Sequence, residues 1–168
     1  MALSKSRVFS QLLGPGKEVI TLAGVGGGSS TTLEQGNFSV SGDAITREYV
    51  LRGTTTDATE TELFSNTSDR IPVGVNTTVY YTVDIVARRT DATGEGAAFH
   101  LKGAADNFSG TLGDLGTLFE TIIIRDDVNY SVDVGADDIN NSIYVKVTGV
   151  VGKTIRWVAY VRTEEVAQ

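Results

Sequence analysis

The chain contains no cysteine. No disulfide, thiolate metal site or cysteine nucleophile can form, and a small disulfide-stapled secreted scaffold is disfavoured. Basic residues are in deficit: 14 Lys and Arg stand against 21 Asp and Glu, for a net charge of −7. No basic run offsets this, and nucleic-acid binding draws on cationic side chains that displace counterions from phosphates. Neither nucleic acid nor membrane is therefore expected as a partner. No stretch approaches the ~20 apolar residues that span a bilayer. The start, Met1-Ala2-Leu3-Ser4-Lys5-Ser6-Arg7, has basic residues with no apolar run behind them, so no secretory signal is expected. There is one histidine, which leaves few groups for convergent polar chemistry.

What remains is a chain rich in strand formers and turn residues. Its 168 residues suit one domain, with or without an extension. A compact chain of this size buries roughly 70% of its unfolded surface, enough for a core without staples. Residues 1–17 read as an arm. Val8-Phe9 and Leu12-Leu13 suit one apolar helical turn, which Gly14-Pro15-Gly16 stops. A segment that short does not fold alone, so the arm is expected to be held by other parts of the protein or by a neighbouring subunit. Glu18–Ala23 reads as a strand, and Gly24-Val25-Gly26-Gly27-Gly28-Ser29-Ser30 as a flexible linker. A phosphate loop needs a Lys-Ser/Thr pair after its last glycine, and this run lacks one. Gly16-Lys17 is followed by Glu18, which repels phosphate.

From Phe38 onward the pattern is strand and turn. Thr46–Arg52 reads as a strand ended by Gly53, and Thr61–Phe64 as a short one. Ile71-Pro72-Val73 is extended and belongs at a sheet edge or just before a strand, because proline cannot donate to a ladder. Thr77–Arg89 is the clearest strand: Val79, Tyr81, Val83, Ile85 and Ala87 alternate with Tyr80, Thr82, Asp84, Val86 and Arg88. The turn over residues 91–96 joins it to Ala97–Lys102 as a hairpin. Leu112 to Thr121 has no clear pattern, and Ile122-Ile123-Ile124 is a continuous apolar run. Tyr130, Val132 and Val134 alternate with polar residues, and Ile143, Val145 and Val147 do the same further on. The last strand follows a glycine-bracketed turn, Gly149 to Gly152. Ile155, Trp157, Ala159 and Val161 form its core face, while Arg156, Val158, Tyr160 and Arg162 form the other. The expected fold is an all-β, jelly-roll-like antiparallel β-sandwich with an N-terminal extended arm. Residues 1–45 are assigned to the arm and Gly-rich linker, and 46–168 to the sandwich.

No catalytic, cofactor or metal residue is assigned. His100 sits mid-strand beside Phe99 and Leu101 and reads as a surface or interface histidine. Composition leaves a Ser-His-Asp triad open, but nothing resembles a nucleophile elbow. Asp126-Asp127 and Asp137-Asp138 carry the oxygens that calcium prefers. They lack the alternating loop pattern that points ligands inward, so they read as turn residues. Tyr80, Tyr144 and Tyr160 face outward, to stack on sugars or to pack between subunits, and the interface reading is preferred. The predicted subunit-interface residues are Val8, Phe9, Leu12, Leu13, Tyr80, Tyr144, Val158 and Tyr160.

Three separated motifs agree in order with one family. They are Thr54-Thr55-Thr56-Asp57-Ala58-Thr59-Glu60-Thr61-Glu62-Leu63-Phe64, then Asp84-Ile85-Val86-Ala87-Arg88-Arg89-Thr90-Asp91, then Gly152-Lys153-Thr154-Ile155-Arg156-Trp157-Val158-Ala159 through Glu165-Val166. Together, over roughly residues 48–166, they resemble a β-rich module of tailed-bacteriophage virion proteins, often found near the C-terminus of tail-fibre or spike-like proteins. The resemblance implies a virion structural role and no catalytic residue. No heptad-bearing shaft precedes the module here, and a short sandwich with an arm is how head decoration (cement) proteins are commonly built. By that analogy the expected protein is a homotrimer on the capsid surface, bound to the major capsid protein and bridging its neighbours. The alternative is a tail-fibre or baseplate component that binds a host receptor or glycan.

Overall fold

The computed structural model describes residues 31–36, 38, 43–116 and 118–168. Val8, Phe9, Leu12 and Leu13 lie outside the described residues, as does the rest of the arm. Among the described residues eleven strands run in chain order: β1 Thr31–Gly36, β2 Ala44–Thr55, β3 Glu60–Glu62, β4 Ile71–Pro72, β5 Thr77–Arg89, β6 Gly96–Phe108, β7 Thr111–Asp114, β8 Phe119–Arg125, β9 Ser131–Asp137, β10 Ser142–Thr148 and β11 Ile155–Ala167. No helix occurs among the described residues. All pairings are antiparallel. A seven-stranded sheet has the order β1-β2-β11-β5-β6-β7, with β8 also on β6. A four-stranded sheet has the order β3-β10-β4, with β9 also on β10. The fold is an all-β antiparallel sandwich.

Strict alternation explains the two long central strands. In β5 and β11 every second residue is buried, and the intervening ones face out. A period of two places one set of side chains on each face of the sheet. The inner set of β11, from Ile155 to Val161, packs with Val79, Tyr81, Val83 and Ile85 of β5 in one core. The small sheet supplies Ile143, Val145 and Val147 to that core. β11 lies between β2 and β5, so the last strand of the chain closes the centre of the large sheet.

Several strand ends differ from the sequence reading; β6, for one, runs on to Phe108 rather than Lys102. The sheet includes β1 and the first residues of β2, within the stretch assigned to arm and linker, so the sandwich begins before residue 46. β2 also continues through Gly53 to Thr55 rather than ending there. Gly53 pairs with Trp157 on β11, and a β-carbon on it would lie 2.5 Å from Leu63 Cδ2. The glycine marks a close approach by a neighbouring side chain, not the end of a strand. Gly149 is similar: a β-carbon there would collide with the Thr55 hydroxyl. That hydroxyl accepts the Trp157 Nε1–H at 2.9 Å.

Candidate functional site

The outward face of the large sheet is the feature that folding leaves unused. Directly opposed residues of antiparallel strands point to the same side, so the register gives the rows of this face. One row runs Arg52, Val158, Val86, Ala98, Ile124 across β2, β11, β5, β6 and β8. The next runs Val50, Tyr160, Asp84, His100, Thr121. The two rows put Val86, Val158, Tyr160 and Ile124 on one surface, with Val86 60% exposed and Val158 44%. Arg156 and Arg88, opposite each other, border this strip on one side. Arg162 lies on the other side, 3.1 Å from Glu164. The result is an apolar row from Val158 to Ile124 with Tyr160 beside it, bordered by arginines and, in Tyr160's own row, by the Asp84–His100 pair; an apolar centre with a charged border is the composition of an interface core and its rim.

The predicted interface residues do not form one patch. Val158 and Tyr160 adjoin. Tyr80 shares their face and is exposed, but it lies opposite Glu164, further along β11. Tyr144 belongs to the other sheet. It sits opposite Gly135 of β9, with Lys146 Nζ 4.6 Å from its ring centre. Burial, then hydrogen bonding to Asp133, pushes its hydroxyl up to about 12. Tyr144 therefore cannot join the strip on the large sheet. The Tyr160 hydroxyl is also pushed up to about 12, first by hydrogen bonding to Glu48 and then by burial. It stays protonated and can donate at any physiological pH.

His100 occupies the outer face of β6, with Nδ1 2.8 Å from Asp84 Oδ1. Its neighbours along the row are Thr121 and, across β5, Tyr160. The carboxylate pairs serve turns. Asp126 accepts from the Gly96 N–H and Asp138 from the Leu112 N–H. Asp137 accepts from the Ile139 and Asn140 N–H groups. Among the described residues no group of three or more acidic, histidine or cysteine side chains is placed to hold a metal.

One end of the sandwich is tied by ions. Lys153 Nζ lies 2.6 Å from Glu95 and 2.7 Å from Asp127. Arg89 donates to Glu95 at 2.8 Å and to Asp91 at 2.9 Å. The Tyr130 hydroxyl donates to Glu95 at 2.9 Å. The turns after β5, β8 and β10 are thereby held together. The Arg89 hydrogen bond holds Asp91 down at about 2. Lys153 lowers both Glu95 and Asp127.

A carboxylate depressed in the folded state stabilises it fully above the unfolded value, and that contribution fades as pH falls through the folded value. This cluster should leave the melting temperature flat above about pH 5 and lower it between about pH 4.5 and 2. Lys153→Ala should melt lower at neutral pH and lose less on acidification. Thermal melts across that range check both slopes.

Comparison with protein families finds no match for this chain, and comparison with curated proteins finds none either.

Proposed function

We propose that this chain is a non-enzymatic structural subunit of a tailed-bacteriophage virion that works by docking. Its finer role in this reading is capsid decoration: bridging the major capsid protein and its own copies on the head. The observation that carries the docking role is the apolar strip of Val86, Val158, Tyr160 and Ile124 on the outer face of the large sheet. Exposed valines and an isoleucine on one sheet face do nothing for the monomer, whereas covering them with a neighbour adds hydrophobic stabilisation. The virion setting rests on the three motifs of the phage module. A net charge of −7 suits a subunit that must not stick to packaged DNA.

The test is occupancy on particles. Val158→Asp with Tyr160→Ala should leave the melting temperature within a few degrees of wild type, since both sites are on the surface. Occupancy on particles should fall at least tenfold. Wild-type occupancy in a folded variant would refute docking through this face. Glycan binding by the purified protein, lost in Tyr160→Ala, would replace decoration with a receptor-binding role in the tail.

A further inference from the structure

Among the described residues β8 pairs only with β6, so its other edge has no partner strand. Native sheets blunt free edges with proline, charged side chains, bulges, brevity or a cover. Two other edges here follow that rule: β4 is two residues with Pro72, and β3 is three residues. β8 has seven residues, Phe119-Glu120-Thr121-Ile122-Ile123-Ile124-Arg125, with neither lysine nor proline. Its isoleucines are exposed, Ile123 at 65%.

The register of β8 carries the argument further. Glu120 opposes Leu101 and Arg125 opposes Ala97, and both opposing residues are buried. Glu120 and Arg125 therefore lie on the inner side of the sheet. Thr121 opposes His100 and Ile124 opposes Ala98, on the outer side. Residues an odd number apart normally face opposite ways. They share a side here because the ladder shifts between Ala98 and Phe99, inserting an extra residue into β8.

We infer that β8 is a homotypic contact, in which the same strand of a second copy adds antiparallel to its free edge. In one register Glu120 meets Arg125, Thr121 meets Ile124 and Ile122 meets Ile123. The outer opposed pairs, Glu120 with Arg125 and Thr121 with Ile124, each share a side, which the inserted residue alone makes possible. An acidic and a basic side chain then flank the isoleucines at each end, and the strand is complementary to itself. Arg125 already donates to the Tyr130 carbonyl at 3.2 Å, which braces it while other donors remain for Glu120 of the second copy. A contact of this kind is two-fold and closes on itself. Its backbone pairing gives affinity and its side chains give register. Where the sheet face closes three-fold rings, as the analogy with decoration proteins has it, β8 joins two rings back to back.

The inference rests on the assembly reading but uses a different surface and readout. The outer face is tested by occupancy on particles, and β8 by the mass of the purified full chain, so either can fail alone. Light scattering should give wild type a mass that is an even multiple of the chain. Glu120→Arg and Arg125→Glu should each halve it, with melting curves confirming the fold, and the double exchange should restore it. A wild-type monomer, unchanged masses in folded single variants, or no restoration in the double variant would overturn the inference. So would a mass lost on deleting residues 1–30 but kept by both charge variants, which would put the arm on this edge instead.

Discussion

Trp157→Ala should unfold the protein or bring it close to unfolding. The indole is 1% exposed at the centre of the large sheet. Tyr130 meets it edge-on, with ring centres 5.9 Å apart and planes at 80°. Truncating a buried tryptophan costs about 3–5 kcal/mol through lost transfer energy and the cavity left behind. The loss also leaves the Thr55 hydroxyl without its donor, in a place where it is buried. Domains are stable by only ~5–15 kcal/mol, so this one change consumes much of the margin. Denaturant titration is the check, with Tyr160→Ala as the control. Tyr160 lies two residues on, facing outward, and its truncation should cost less than about 1 kcal/mol. A Tyr160→Ala variant that melts while Trp157→Ala stands would mean that the faces of β11 are reversed.

The second large effect is expected at the opposite end of β11. Glu165 points to the inner side and is 7% exposed, paired with Arg47 and accepting from the Thr163 hydroxyl at 2.8 Å. Tyr49 nearby is buried, and burial followed by the Glu165 charge pushes its hydroxyl up to about 12. Arg47→Ala strands a buried carboxylate. Breaking a fully buried pair costs about 3–5 kcal/mol. Arg47 is partly exposed, which lets water reach the site, so about 2–3 kcal/mol is expected. Adding Glu165→Gln should return part of that loss, because it removes the charge that lacks a partner. A double variant no more stable than Arg47→Ala would show that the ion pair is not the source of the effect.

The parts of the fold that follow a single physical rule were legible before the structure. β5 and β11 each bury one face only, so their sequences alternate and their inward residues could be named. The turn chemistry of residues 91–96 and Gly149–Gly152 placed the hairpin and the start of the last strand. β8 was not legible, for two reasons. The inserted residue breaks the two-residue period at Ile122-Ile123-Ile124, and an exposed edge imposes no alternation of its own. Gly53 misled because a glycine that admits a crossing side chain resembles one that ends a strand. Tyr144 marks a different limit. Alternation tells which side of its strand a residue takes, but not which sheet the strand joins. The strip of Val86, Val158 and Ile124 needs the pairing of β8, β6, β5 and β11, which no local pattern contains.

The proposed docking of the outer face in a virion is tested most directly by a particle reconstruction with this protein located at side-chain detail. Val86, Val158 and Tyr160 should be covered by a neighbouring chain, on the head, with the Arg156 and Arg162 margin at the rim of the contact. A particle in which that strip faces solvent while the protein is held through other surfaces would contradict the account.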